Sequence, residues 1–160
     1  MIDRQLVERI EQELREIQEI ITQTEQFIER GQSTDASLYQ EALSSAIALN
    51  LHSFYTGVER IFEAIARRID YWEPTGEQWH RQLLDQMSLD IPQVRPTVIS
   101  DATRTRLDEF RRFRHVVRSI YAYRLETSRV LELANQLQEC HREFKQEIRQ
   151  FIESIQKEPP

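Results

Sequence analysis

The sequence contains few of the residues that interrupt helices or cross-link chains. Its 160 residues include three glycines, five prolines and a single cysteine, Cys140. One cysteine cannot form an internal disulfide, and it is too few for a cysteine-based zinc site. Because few positions can break a helix, we expect the chain to be built from long helical segments.

Long apolar runs and an overall positive charge are also absent. No stretch approaches the ~18 consecutive apolar residues that a membrane-spanning helix needs. The opening residues, MIDRQLVERIEQEL, lack the apolar core and the cleavage site of a secretory signal, so the cytoplasm is the expected location. The net charge of -6 argues against a protein that coats nucleic acid with its whole surface, so any anion site must be local.

Apolar residues recur at three- and four-residue spacing along the chain, and this pattern predicts five helices. We expect the first helix from about Ile2 to Arg30, ending at Gly31, and the second from an N-cap at Thr34 or Asp35 to a break at 70–76. The remaining helices are expected at 77–87, from about Asp101 to Tyr123 with Ser100 as N-cap, and from about Ser128 to Lys157. An ordered, proline-containing loop is expected over 88–100. The predicted fold is an all-α antiparallel bundle of four or five helices, one domain over 1–160 with the N-terminal helix packed on the bundle.

The fourth predicted helix separates apolar from basic side chains. Its apolar side carries Phe110, Phe113, Val116, Val117 and Ile120. Its other side carries Arg111, Arg114, His115 and Arg118, with Tyr121 at the edge and Arg104 farther toward the N-terminus. Six arginines against two acidic residues between 104 and 118 make this a positive segment in an acidic protein. A solvated face, or pairing with acids of neighbouring helices, is the ordinary origin of such a pattern.

The same residue types also suit the chemistry of a phosphodiester. Guanidinium groups bind phosphate through two hydrogen bonds and stabilise the charge that develops during cleavage. Neighbouring cations favour a neutral imidazole, which can accept a proton as a general base. His115 cannot serve as base and acid in one turnover, so we predict a two-fold homodimer that brings two copies of His115 into one positively charged groove.

Four segments of the sequence carry a resemblance to a known family. They are LHSFYTGVERIFEAIARRID, GEQWHRQLLDQM, RPTVIS and FRRFRHVVRSIYAYRLE. Together they resemble the HepT-like branch of the HEPN superfamily over roughly residues 40 to 157. The resemblance implies an all-α toxin, usually dimeric, whose partner is a minimal nucleotidyltransferase antitoxin. It also implies a metal-independent endoribonuclease with a site of one arginine, four to six intervening residues and a histidine, silenced in some members by transfer of AMP to a nearby tyrosine.

The resemblance assigns roles to residues of the fourth helix. His115 corresponds to the family histidine by context, although only three residues separate it from Arg111; Arg118 can substitute from the adjacent turn. Arg114 and Arg104 are expected to bind RNA phosphates. The family's common His-x-Tyr is absent because residue 117 is valine. Tyr121 and then Tyr123 are the nearest candidates for modification.

Three functional hypotheses follow from these observations. The preferred one is an RNA-cleaving toxin of a type VII-like toxin–antitoxin system. The alternative is a non-catalytic HEPN-like module that binds RNA, a nucleotide or an acidic protein partner. A generic coiled-coil structural protein is the third. No cofactor and no metal are expected, because His80 and His141 have no acidic or cysteine residue at ligand spacing. His52 stays outside the predicted catalytic set, since a packing role is as common for such a residue.

Overall fold

The structure is a computed structural model that describes residues 3–157. It contains five α-helices and, within those residues, no β-strand. The helices are α1 (Arg4–Gln32), α2 (Ser37–Ile65), α3 (Trp79–Met87), α4 (Asp101–Ser119) and α5 (Thr127–Gln156). A π-helical turn, Ala66–Asp70, extends α2, and a 3-10 turn, Ala122–Arg124, lies between α4 and α5. The predicted all-α bundle is therefore confirmed. The predicted start at Ile2 lies outside the described residues.

The helix α2 is the centre of the bundle, since it packs against each of the other four helices. Its buried face includes Phe54, Phe62 and Ile65, all fully shielded from solvent. Phe54 meets Phe110 of α4 edge-on at 5.2 Å between ring centroids, and Phe62 meets Phe144 of α5 at 5.8 Å. Such edge-to-face pairs add to the free energy gained from burial alone. These contacts fix α4 and α5 against α2.

The hairpin of α1 and α2 differs from the prediction at its turn. The helix α1 continues through Gly31 to Gln32, and the backbone N–H of Ser33 donates to the carbonyl of Arg30. Neither Thr34 nor Asp35 is the N-cap of α2, because that position is Ala36. The hydroxyl of Thr34 accepts from the N–H of Ala36 at 3.2 Å, but Thr34 lies two residues before the N-cap position and so does not cap the helix. The turn is thus shifted by about two residues from the predicted one.

The helix α4 begins as predicted but ends four residues earlier. Ser100 is the N-cap, and its hydroxyl accepts from the N–H of Thr103 at 3.1 Å. The helix stops at Ser119 instead of Tyr123, since Ile120 and Tyr121 are extended. Two physical causes act there. Val116 and Ile120 are exposed, so no packing supports another turn, and the hydroxyl of Ser119 donates to the carbonyl of Val116.

The loop between α3 and α4 is ordered, as its two prolines led us to expect. A buried ion pair holds it: Nε of Arg95 donates to Oδ1 of Asp70 at 2.7 Å, and both side chains are almost fully buried. The same guanidinium also donates to the carbonyls of Gln86, Leu89 and Pro96. The loop therefore attaches to the end of α2, and it places the start of α4 directly over the central helix.

Candidate functional site

The basic face of α4 lies along one side of α2, and its arginines differ in how they are neutralised. Arg111 is half-buried, and its Nε donates to Oδ1 of Asp108 at 2.7 Å. Arg112 shares the same carboxylate at 3.0 Å. In contrast, no carboxylate of residues 3–157 lies within 4.0 Å of Arg114 or Arg118. Among the arginines of α4, those without a carboxylate partner within residues 3–157 are therefore Arg114 and Arg118, in the last two turns of the helix.

His115 lies between these two arginines in the sequence and is exposed to solvent. Its ring makes no hydrogen bond to another described residue, so both ring nitrogens are available to a ligand. The guanidinium of Arg114 turns toward α2, and its Nε is buried without an acceptor among residues 3–157. Arg118 is exposed. An imidazole accessible to solvent and an arginine lacking a counter-ion thus occupy neighbouring positions.

His52 of α2 faces the same end of α4, and the prediction left it outside the site. Its pKa is lowered by partial burial and by the positive charges of Arg114 and Arg118. All three effects disfavour the imidazolium form. His52 is therefore a neutral imidazole beside two guanidinium groups. The seven-residue spacing of His52 and Glu59 on α2 was the sequence signal that could have identified it.

Tyr55, one turn along α2, carries a second buried donor without a partner. Its ring is fully buried, and its hydroxyl finds no acceptor among the described side chains and backbone. Burial raises the pKa of Tyr55, with the charge of Glu59 acting in the same direction. The phenol is therefore a neutral donor beside Arg114, and nothing in the sequence distinguished it from an ordinary core aromatic residue.

Glu59 and His80 form a pair that the sequence did not predict. Nδ1 of His80 lies 2.7 Å from Oε2 of Glu59. Spacing along the sequence does not reveal this pair, because the carboxylate comes from α2, 21 residues away, and not from α3 itself. Glu59 is 4% exposed, and burial raises its pKa, whereas the hydrogen bond from His80 and the charge of Arg114 lower it. Trp79 stacks on the His80 ring at 3.6 Å.

The other predicted site residues, Arg104, Tyr121 and Tyr123, lie apart from the cluster of Arg114, His115 and Arg118 on α4. Arg104 is about 16 Å along the helix from His115, at 1.5 Å per residue, and pairs with Asp85 of α3 at 3.4 Å. It is therefore already engaged within the chain. Tyr121 and Tyr123 follow the end of α4 and are exposed, with their rings 5.9 Å apart and nearly parallel. The structure thus brings Arg114, Arg118 and His115 together and separates Arg104 from them.

The described part of the chain has neither a metal-binding cluster nor a membrane-spanning helix. Over residues 3–157, no group of three or more histidine, cysteine, aspartate or glutamate side chains is placed to hold a metal ion. Within the same residues, no helix is both long enough and apolar enough to cross a bilayer. Cys140 is buried, which raises the pKa of its thiol to about 12 and keeps it protonated. The candidate site is therefore the cationic surface of α4, together with the titratable groups of α2 that face it.

The comparison with known proteins matches the part of the chain that forms α2 to α5. A family model described as HepT-like protein matches residues 46–155, which is more than two thirds of the chain. Neither curated proteins nor solved structures gave a match. The matched segment begins inside α2 and ends in the last turn of α5, so it contains every residue of the site described above. The chain belongs to the HepT-like family.

Proposed function

We propose that this protein is the toxin of a toxin–antitoxin pair and acts on RNA as a metal-independent endoribonuclease. The observation that carries the proposal is the pair of guanidinium groups, Arg114 and Arg118, that lack a carboxylate partner within residues 3–157 and flank the exposed His115. An arginine without a counter-ion in a protein of net charge -6 attracts an anion. Phosphate is the anion whose geometry a guanidinium group matches best.

The cleavage step follows from the groups at this end of α4. His115 accepts the proton of the ribose 2′-hydroxyl, and the 2′-oxygen forms a bond to phosphorus while the bond from phosphorus to the 5′-oxygen breaks. Arg114 and Arg118 stabilise the additional negative charge of the phosphorane. The leaving 5′-oxygen takes a proton from the imidazolium of His115 of the partner subunit. The products are a 2′,3′-cyclic phosphate and a 5′-hydroxyl, and no metal is required.

The homodimer in this mechanism provides the second imidazole. A groove of about 430 Å³ between the end of α4 and the start of α5 has an apolar floor that includes Phe113, Val116 and Ile120. Exposed apolar residues of this kind are suited to association with a second copy. We place the two-fold contact beside this groove, at the edge where His115 adjoins Val116, so that the C-terminal ends of the two α4 helices and the two copies of His115 border one cleft.

The nucleotidyltransferase antitoxin is proposed to silence the site by modifying a tyrosine. Tyr121 is 70% exposed, and its hydroxyl makes no hydrogen bond within the described residues, whereas the hydroxyl of Tyr123 accepts from Nε of Arg124 at 3.4 Å. Transfer of AMP forms a bond between the tyrosine oxygen and the α-phosphorus of ATP, and pyrophosphate leaves. The added phosphate is an anion that competes with RNA for Arg118.

Replacement of His115 tests the catalytic assignment. His115→Ala is expected to lower the rate of RNA cleavage by about 10²- to 10⁴-fold, the contribution of a general base, and to abolish growth inhibition in cells. RNA binding, helical content and sedimentation should stay unchanged, because the side chain is exposed. Arg106→Gln is the matched control, since Arg106 pairs with Glu139 and Glu143 on the α5 side of the same helix. Full cleavage by His115→Ala would eliminate the assignment.

A second candidate function is a non-catalytic module that binds RNA, a nucleotide or an acidic protein partner at the same face. One observation favours it: Arg111, four residues before His115, is directed to Asp108 and not to the solvent. The two candidates differ in one assay. The module binds RNA with equal affinity before and after His115→Ala, and it yields no cyclic phosphate product at any enzyme concentration.

A further inference from the structure

We propose that Tyr121 and Tyr123 form a stacking platform for unpaired bases, so that the RNA bound at the basic face is single-stranded. The inference rests on the proposed function for RNA as the ligand, and it specifies the class of RNA and a base-binding site. Tyr121 and Tyr123 are 70% and 79% exposed. Two neighbouring aromatic rings are thus left in contact with water, which is unfavourable in free energy. Their rings are stacked on each other at 5.9 Å with an angle of 9° between the planes.

The backbone explains why both rings are presented to solvent. Because α4 ends at Ser119, the chain is extended at Tyr121, and the short 3-10 turn at Ala122–Arg124 follows. This segment places residues 121 and 123 side by side beyond the end of the helix. The rings are too close together to admit a base between them, so a base stacks on an outer face. Arg124 lies over the Tyr123 ring at 5.7 Å, whereas Tyr121 is 70% exposed, so we assign the stacked base to Tyr121.

The charges around the platform suit a phosphate backbone. Arg118 precedes the tyrosines, and Arg124 and Arg129 follow them; no carboxylate of residues 3–157 lies within 4.0 Å of any of the three. Proteins that bind single strands combine an arginine-lined path for the backbone with aromatic rings for the bases. Both parts are present here within twelve residues of sequence.

A duplex cannot use the same surface. In A-form RNA the bases are stacked inside the helix, and a protein contacts the backbone and the 2′-hydroxyl groups. An exposed aromatic ring gains nothing from such a ligand. Single-stranded loops and ends can turn a base outward onto Tyr121. The proposed platform therefore favours single-stranded RNA over duplex RNA, whereas the arginines by themselves attract both.

The test compares leucine with phenylalanine at both tyrosines. Fluorescence anisotropy with a fluorescein-labelled, unstructured 12-nucleotide RNA and a labelled 12-base-pair RNA duplex is measured in the His115→Ala background, so that the RNA stays intact. Y121L/Y123L should weaken binding of the single strand roughly tenfold or more, the loss expected from one base that no longer stacks, and change duplex binding less than twofold. Y121F/Y123F keeps the rings, removes the hydroxyl groups, and should bind like the unsubstituted background protein.

Each other outcome has a definite meaning. Equal affinity of the leucine variant and the background protein for the single strand would overturn the platform, as would a loss of affinity in the phenylalanine variant as large as in the leucine variant. A leucine variant that becomes monomeric by sedimentation would assign the rings to a contact between subunits, against the inference. If the background protein binds neither RNA, the proposed function fails and this inference fails with it.

Discussion

At the scale of single residues, the site is defined by which arginines have a carboxylate partner. Arg104, Arg106 and Arg111 are engaged by acids of the same chain, and an exposed pair of this kind contributes at most about 1 kcal/mol. Arg114 and Arg118 have no such partner within residues 3–157. The helical period predicted which residues share the face, but not which of them are neutralised, because the partners come from α3, from α5 and from the preceding turn of α4.

The pKa of His52 depends on burial and on the positive charges of Arg114 and Arg118. Since burial and the charges of Arg114 and Arg118 all lower this pKa, the double variant R114Q/R118Q should raise it toward its ordinary value of 6.5, although burial will keep it lower. NMR titration of the histidine ring protons measures the change. His141 is the internal control: its pKa of about 4 arises from burial and Lys145, so it should not move.

An unchanged His52 pKa in R114Q/R118Q would mean that the two side chains do not face α2. In that case the basic cluster would consist only of groups on α4. The parallel variant R106Q, on the other side of the helix, should leave the His52 pKa unaffected and so shows that the effect depends on position and not on net charge.

At the scale of helices, sequence periodicity predicted the number and order of the elements and erred at their ends. Apolar spacing reports which face a helix buries, and this is set by contacts over many turns. A helix end depends on single groups, such as the hydroxyl of Ser119 that donates to the carbonyl of Val116, or the hydroxyl of Thr34 that accepts from the N–H of Ala36 two residues later. Gly57 is an intermediate case. A glycine inside a helix permits a close helix contact, and a Cβ at residue 57 would lie only 2.8 Å from Cγ1 of Ile17 in α1.

The ion pair between Arg95 and Asp70 is the interaction between elements whose loss should matter most. Arg95→Met would leave the Asp70 carboxylate buried without a counter-ion, so the free energy of unfolding should fall by about 3–5 kcal/mol. Urea unfolding followed by circular dichroism measures this loss. Arg67→Ala is the control, because the pair of Arg67 and Glu73 is exposed and should contribute at most about 1 kcal/mol.

A fall of less than 1 kcal/mol in Arg95→Met would contradict this account. It would mean that the loop over 88–100 is held by its apolar contacts, such as Val98 and Ile99, and not by the guanidinium. Asp70→Asn keeps the shape of the side chain and removes the charge. It leaves the Arg95 guanidinium buried without a counter-ion, so the free energy of unfolding should fall in this variant as well, with the carbonyls of Gln86, Leu89 and Pro96 still accepting hydrogen bonds from Arg95.

At the scale of the whole molecule, the segment that the family model matches does not include all of the helices that form the buried core. The matched segment starts at residue 46, yet α1 contributes Leu6, Ile10 and Ile17 to the core, all fully buried against the rest of the bundle. The site needs only α2, α3 and α4. The helix α1 therefore supports the site indirectly, through the position of α2. Composition predicted a local anion site in an acidic protein, but the contact of α2 with α3 that pairs Glu59 with His80 depends on the tertiary fold.

The stability of the whole fold should depend on pH through His141. This histidine of α5 is buried where α1, α2 and α5 meet: it packs edge-on against Phe54, and its Nε2 lies 3.4 Å from Oε1 of Gln18. Its pKa is about 4 in the folded state, below the ordinary 6.5, so between these values the unfolded chain binds a proton that the folded chain does not. The free energy of unfolding should therefore fall by about 3 kcal/mol as the pH decreases from 6.5 to 4.

His141→Gln removes the titrating group and keeps a polar side chain of similar size, so its stability should decline less over the same interval. Urea unfolding of both proteins at pH 7, 6, 5 and 4 measures the difference, which cancels the contributions of carboxyl groups such as Glu59. The difference between the two stability curves should change by about 3 kcal/mol between pH 6.5 and pH 4 and should be nearly constant above pH 7. Parallel curves would mean that His141 is protonated as easily in the folded protein as in the unfolded chain, and that the junction of the three helices is open to water.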